Sequence, residues 1–302
     1  RFDYIDKENQ INKFKILNKD NNYLLNGDFL NANYILDNLS ASDNKKKLKI
    51  FKKKIFLKVK IDNIRFDEEY SLQNLEGNLV LFNDNVLNCD LRAFFSNKEK
   101  IKFTVTSKND EKITTLFSDK ARPFVKRYKF IKGFENGSLD FYSIKKKDKR
   151  VSNLKIYDFK LKEVPALTKL LTLASLQGIA DLLSGEGIRF NEFEMKFNNE
   201  SSLMKINEIY GIGPAISILM DGYIEKNKLV SLRGTLVPAT TINKAIGSIP
   251  ILGQILVGSK TGEGVFGVSF KIKGPPKELE TTVNPIKTLT PRFITRTLEK
   301  IK

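Results

Sequence analysis

Between Leu48 and Thr106 apolar and polar side chains alternate almost without a break, and this period of two constrains the fold more than any other feature of the chain. Side chains two apart share a face only in an extended strand. LKVKIDNIRF (Leu57 to Phe66) therefore reads as one strand, and NLVLFNDNVLNCDLRAFF (Asn78 to Phe95) as two strands joined by a turn at Asn83, Asp84 and Asn85. Leu87, Cys89, Leu91, Ala93 and Phe95 fall on one face, and Asn88, Asp90, Arg92 and Phe94 on the other. After a polar turn at Asn97 to Lys100, the residues Ile101, Phe103 and Val105 again share a face. The pattern predicts an antiparallel meander with one apolar and one mostly polar face. It resumes in GSLDFYSIKKK, VSNLKIYDFKLKEV, FNEFEMKFNN, SLMKINEIYGIG, AISILMDGYIEKNKLVSLRGTL and GVFGVSFKIKG. Strand signals spaced by about 8 to 12 residues, with no alternating βαβ units, point to a mainly β chain with a few short helices and argue against a parallel nucleotide-binding fold.

Helical patterns interrupt the strands at four places. SDKARPFVKRYKFIK (Ser118 to Lys132) reads as a short basic helix with Ser118 or Asp119 as its cap. Glu163 to Ser184 reads as one longer helix, with Pro165 near its start and Gly185 at its end. Its Leu167, Leu170, Leu171, Leu173, Ala174, Leu176, Leu182 and Leu183 wrap most of the circumference, leaving a thin polar stripe at Thr168, Thr172 and Ser175. Thr240 to Val257 reads as an amphipathic helix broken by Gly247 and Pro250. PRFITRTLEKIK reads as a short helix from Pro291, with Ile294, Leu298 and Ile301 opposing Arg292, Arg296 and Lys300. That layout suits contact with an anionic membrane surface and equally a cap on the end of the sheet. Leu171 to Phe190 and Val237 to Gly258 are two apolar, Gly-punctuated stretches. Both are too short or too interrupted to span a hydrocarbon core of about 30 Å.

Composition excludes several classes of function. The 302-residue chain is 41% hydrophobic, ample for a folded core, and contains no histidine and a single cysteine, Cys89. No His-based metal site, Ser-His-Asp triad or intrachain disulfide can therefore form. Formal net charge is +17; residues 1–160 carry 34 Lys and Arg against 22 Asp and Glu, and the remainder 18 against 13. A basic balance points to anionic partners, either lipid headgroups or nucleic acid. The first thirty residues contain no signal peptide or transmembrane anchor, and RFDYID reads as a strand cut from something longer. We therefore read the chain as the C-terminal fragment of a larger protein.

The remaining motifs have plain structural readings. GIGPAISI (Gly211 to Ile218) and GEGVFG (Gly262 to Gly267) lack the spacing of a phosphate loop, so their glycines are expected to supply positive φ or bulges. The basic runs at Lys45 to Lys47 with Lys49, Lys52 to Lys54, and Lys145 to Lys147 with Lys149 and Arg150 are read as the solvent face of strands. Beside nearby Phe and Tyr they also permit a minority reading as a single-strand nucleic-acid surface. The carboxylate pairs Glu68 with Glu69 and Glu192 with Glu194 are read as solvated, and no catalytic constellation, metal site or cofactor motif emerges. The apolar strand faces fit either the dry core of a closed sandwich or the open inner face of a curled sheet.

The run LTKLLTLASLQGIADLLSGEGIRF, followed by GIGPAISILMDGYI, LRGTLVPATTINKAIGSIPILGQILVG, GEGVFGVSFKIKG and VNPIKTLTPRF, resembles the C-terminal region of AsmA-like envelope proteins. The likeness is to the large members that bridge the inner and outer membranes of Gram-negative bacteria, and it covers about Leu154 to Phe293. It implies an elongated, curled, antiparallel-type sheet forming an open hydrophobic groove, capped by amphipathic helices near the C-terminus. Residues 1–150 are expected to be a β-meander continuing the groove, and 151–302 the AsmA-like groove segment. The implied function is non-enzymatic: a conduit for phospholipid between the two membranes, or support of outer-membrane assembly, in the periplasm, anchored in the inner membrane through an N-terminal segment missing here. Its implied partners are phospholipid acyl chains, a membrane surface and other envelope proteins, with no cofactor. Groove candidates are Leu87, Leu91, Phe95, Phe103, Phe193, Phe197, Ile216, Ile218, Phe266 and Val268; membrane-contact candidates are Arg292, Arg296, Lys300, Ile294, Leu298 and Ile301. A basic nucleic-acid-binding β protein and a purely structural envelope scaffold are the alternatives.

Overall fold

A computed structural model describes residues 2–20, 22–33, 36, 53–83, 85–127, 133–200, 202–238, 267–276 and 278–286. The broken helix expected at Thr240 to Val257, the GEG element, Phe266 and the C-terminal helix with its six membrane-contact candidates lie outside the described residues. Among the described residues the protein is mainly β, 68% strand and 11% helix. Its strands are β1 (Phe2–Ile5), β2 (Ile11–Lys19), β3 (Asn22–Asn31), β4 (Ile55–Arg65), β5 (Ser71–Phe82), β6 (Asn85–Phe95), β7 (Lys100–Lys108), β8 (Glu111–Ser118), β9 (Phe134–Lys146), β10 (Lys149–Leu161), β11 (Ile188–Glu200), β12 (Leu203–Ile212), β13 (Ile216–Glu225), β14 (Leu229–Pro238), β15 (Gly267–Gly274) and β16 (Glu280–Ile286). They pair in chain order in one unclosed sheet, with β1 and β16 as its edges. Among the described residues three helices accompany them: α1 (Arg122–Arg127), α2 (Pro165–Leu173) and α3 (Gln177–Ser184).

The structure corrects two expectations. The sheet is mixed, because β3 and β4 pair in parallel, Tyr23 beside Leu57 and Leu25 beside Val59. Parallel neighbours need a long crossover, and 23 residues separate Asn31 from Ile55. The single helix expected over Glu163 to Ser184 is two, since Ser175 takes a left-handed φ of 59° and ends the first.

By compactness the chain divides into one unit of Arg1–Phe130 with Gly137–Ser152, and a second of Ile131–Asn136 with Asn153–Lys302. In the first unit one sheet face is apolar along its ladder. Val59 faces Gly77, Gly77 faces Leu91, Leu91 faces Phe103, Phe103 faces Leu116, and Leu116 faces Phe141. The alternation slips between Gln73 and Glu76, where Asn74 has a φ of 53°. This bulge keeps Leu72 and Leu75 on the same face although they are three positions apart. Gly77, at a φ of 150°, lets the Asp90 backbone approach so closely that a Cβ would run into its carbonyl.

Helix α1 closes one end of that face. Its Pro123, Phe124 and Val125 are buried, and Phe124 meets Phe66 edge-on at 5.3 Å. Tyr70 meets Phe95 edge-on at 6.2 Å, and the Lys120 ammonium sits 5.5 Å above the Phe95 ring. Beside this end lies a polar knot. Asp6 accepts from the backbone of Glu8 and Gln10 at 2.9 and 3.0 Å, and from the Asn12 and Asn31 amides at 2.8 Å each. Arg127 donates to Asn33 Oδ1 at 2.7 Å and to the Phe66 carbonyl.

In the second unit Phe134, Phe159 and Phe190 stack at 5.2 and 5.3 Å, with Phe193 edge-on to Phe159. Phe190 and Phe193 both reach Phe159 although three residues apart, so the alternation slips by one between them as well. Helix α2 packs on α3 and touches β16, whereas α3 touches β11. Five ladder steps of about 4.8 Å separate β11 from β16, about 24 Å if flat, and α2 is only nine residues long. The sheet of this unit must therefore curl to bring both strands to one helix pair.

These positions predict opposite outcomes for two glycine changes. Gly77→Ala should destabilise the protein by about 2 kcal/mol or more through strain and the Asp90 contact. Gly178→Ala, in α3 with open space around it, should stabilise it by about 0.5 kcal/mol; denaturant midpoints measure both. Acid should act through Asp6. Desolvation pushes its carboxyl up, but hydrogen bonds from Gln10, Asn12, Asn31 and Glu8 outweigh it and hold the pKa at about 2, below the ordinary 3.8. The associated stability is complete above about pH 4 and is lost as pH falls toward 2. Denaturant midpoints should drop across that window, and the drop should be shallower in Asp6→Asn.

Candidate functional site

The apolar face of the first unit is not uniformly buried. At its α1 end Ile61, Ile64, Phe66, Leu72, Ala93 and Phe95 are buried, Phe95 to 1% exposure. In the next row, Leu25, Leu91, Phe103, Leu116 and Phe141 are each half-buried, and so are Leu57 and Leu79 beside it. This row crosses seven strands, from β3 to β9, and carries no charged side chain. Beyond it come Cys89, Val105, Thr114 and Ser143.

Of the ten residues read from the sequence as groove candidates, Leu91 and Phe103 are direct cross-strand neighbours in the half-buried row. Leu87 is half-buried at a slip in the ladder, where Leu81 pairs with Val86. Phe95 belongs to the closed end, under Lys120 and Tyr70. In the second unit Phe193 and Phe197 are half-buried, whereas Ile216, Ile218 and Val268 are buried, Ile216 completely. These three are core residues that offer no surface to a ligand. Sequence reasoning missed Leu57, Leu79, Leu116 and Phe141, which continue the half-buried surface. The alternation of the strands carrying them was legible, but their mutual register was not.

The basic run at Lys145 to Arg150 is solvent-exposed throughout, and the β9–β10 hairpin divides it between the two faces of the sheet. Lys146 pairs with Glu111 at 3.0 Å on the polar face. Lys145 is opposite Lys112, in the same ladder that pairs Thr114 with Ser143 on the apolar side. Two residues joining β9 to β10 put neighbouring lysines on opposite faces.

The polar face of this unit mixes both signs. Arg92 pairs with Glu76 at 2.9 Å. Around them a depression of about 470 Å3 includes Asn78, Asp90, Phe94, Lys100, Lys102 and Phe117. Aromatic rings and cations thus meet here, but interleaved carboxylates break up the positive field that a polyanion needs.

Glu194 also departs from its solvated reading. It is 4% exposed, accepts from Asn153 Nδ2 at 3.1 Å, and has the Lys155 and Lys196 ammonium groups at 3.8 and 3.7 Å. Lys196 reaches Glu208 as well, at 3.8 Å. The cause is that both faces of this part of the second unit are covered: Tyr210, Leu219 and Val237 are buried on Glu194's side, and Ile218 and Leu236 on the other. The cluster neutralises itself in a buried setting.

Among the described residues no group of three or more His, Cys, Asp or Glu could hold a metal, and no helix is long and apolar enough to cross a membrane. Comparison of the chain with protein-family models, curated proteins and solved structures finds no match.

Cys89 reports on the apolar face directly. Burial, with a smaller contribution from Asp90, pushes its thiol up to about 11, so almost no thiolate exists near neutrality. In the folded protein Cys89 should resist a soluble thiol reagent at pH 8 for hours and react stoichiometrically once denaturant unfolds the chain. Rapid modification without denaturant would show that the apolar face admits water freely.

Proposed function

We propose that this chain is a lipid-binding segment of an AsmA-like envelope protein, a non-enzymatic conduit for phospholipid between the inner and outer membranes. The observation that carries the reading is the uncharged row from Leu25 to Phe141, partly exposed everywhere except at Val59. Six ladder steps of about 4.8 Å make it about 29 Å wide. An acyl chain occupies about half of a 30 Å hydrocarbon core in a bilayer, so the row is long enough to receive one. A tail leaving the bilayer loses about 0.8 kcal/mol for each CH2 exposed to water. An apolar surface that stays accessible along its length offsets that loss without covalent chemistry. The VNPI element, now placed in β16, and the helix pair in LTKLLTLASLQGIADLLS belong to the stretch that resembles the family.

The nucleic-acid alternative is less well supported, because the cations beside aromatic rings on the polar face share it with Glu76 and Asp90. A scaffold without a ligand has no need of a partly exposed, uncharged apolar row.

The purified chain should carry phospholipid, detected by mass spectrometry of its organic extract, and should take up a fluorescent phospholipid from vesicles. Leu116→Asp, a charge at a half-exposed position, should reduce uptake at least tenfold, since a carboxylate in apolar surroundings is strongly disfavoured. Protein that is lipid-free as isolated and takes up no fluorescent phospholipid would sink the proposal.

A further inference from the structure

Along the strands of the first unit, from the apolar row toward the hairpin tips, one sheet face changes character in two steps. Leu116 and Phe141 are followed by Thr114 and Ser143, and these by Lys112 and Lys145. Ser152 joins the hydroxyl row, its Oγ donating to Ser143 Oγ at 3.0 Å. Because Ser152 faces Ser143, Arg150, two residues earlier on β10, lies on the same face, beside Lys145. Lys112 faces Lys145 directly in the ladder and shares its face.

Three cations therefore line the rim of an otherwise apolar face. Glu111, the nearest carboxylate in the ladder, belongs to the opposite face, where it pairs with Lys146. Neither Lys145 nor Arg150 has an ion-pair partner among the described residues. Lys145 and Arg150 lie side by side on this face without such a partner, and like charges on neighbouring strands are destabilising, so the pair favours an anion beside it. The order of the rows, hydrocarbon, then hydroxyl, then cation, matches a phospholipid read from tail through ester to phosphate. The rim is also local. On β4, β5 and β6 the corresponding positions are Ile55, Leu81 and Leu87, and on β7 Ser107.

We propose that Lys112, Lys145 and Arg150 bind the phosphate headgroup of an anionic phospholipid whose acyl chain lies on the row from Leu91 to Phe141. The inference rests on the lipid-binding reading and adds to it the headgroup class and its station. It is tested with the whole chain and two fluorescent lipids that share acyl chains, phosphatidylglycerol and phosphatidylcholine, at low salt. Phosphatidylglycerol should bind about tenfold more tightly, as expected for a few basic groups near one anionic head. Changing Lys112, Lys145 and Arg150 together to Gln should abolish that preference and leave phosphatidylcholine binding unchanged. Changing Lys102, Lys108 and Lys146 on the opposite face to Gln should alter neither. Resistance of Cys89 to a thiol reagent checks that each variant is folded, and Lys145→Glu alone, at an exposed position, serves if the triple variant does not fold. A rim variant that keeps the preference, or an opposite-face variant that loses it equally, overturns the headgroup site. Competition by millimolar inorganic phosphate against phosphatidylglycerol overturns it in favour of a free-phosphate site. Binding of neither lipid overturns the conduit reading itself, and the headgroup site with it.

Discussion

Every described strand pairs only with its neighbours in sequence, and that one constraint governs how apolar side chains can be covered. A sandwich shields one sheet with another, and an α/β fold with crossover helices. A sheet laid down in chain order has to find its second layer in curl, in short insertions, or in something outside the chain. The two units answer differently. In the second, the α2–α3 pair reaches both β11 and β16, and residues on both faces of β12 and β13 are buried. In the first, the six residues of α1 cover only the end that holds Phe66 and Phe95, leaving a half-exposed row beyond.

Much of the strand pattern was legible because period two needs no tertiary information. The bulges carry a signal in sequence too. Ile61 and Ile64, Leu72 and Leu75, Ile156 and Phe159, and Phe190 and Phe193 are apolar pairs three apart within strand patterns, and every member is buried or half-buried. Asn74 and Asp158, at φ of 53° and 52°, lie inside two of these intervals. An apolar spacing that slips from two to three across an Asn or Asp inside a strand marks the point where the extra residue is looped out and the face preserved.

What could not be read depends on partners distant in sequence. The parallel pairing of β3 with β4 is set by a crossover, which no local pattern encodes. Glu194 alternates with Phe193 and Met195 like any solvent-facing residue, and its burial follows from what covers β11 and β12. Lys145 and Lys146 are identical in sequence context, yet register sets one beside Lys112 and the other against Glu111. Of the groove candidates, Leu91 and Phe103 are adjacent on the half-buried row, while Ile216 and Ile218 have the same alternation and are core. Alternation tells which face a residue occupies, not whether that face is wet.

On the lipid-binding reading, this asymmetry also bears on movement. A tail lying across the ladder meets nearly the same surface after each shift of about 4.8 Å to the next strand, because the row from Val59 to Phe141 stays uncharged. A headgroup does not. It passes aliphatic positions on β4 to β6, a hydroxyl at Ser107 on β7, and cations at Lys112 and Lys145 on β8 and β9. The apolar row then sets where a lipid can travel, and the rim sets where an anionic one pauses. A zwitterionic lipid, whose phosphate is offset by its own cation, would feel the row far more than the rim, so a single face can carry both and hold them for different times.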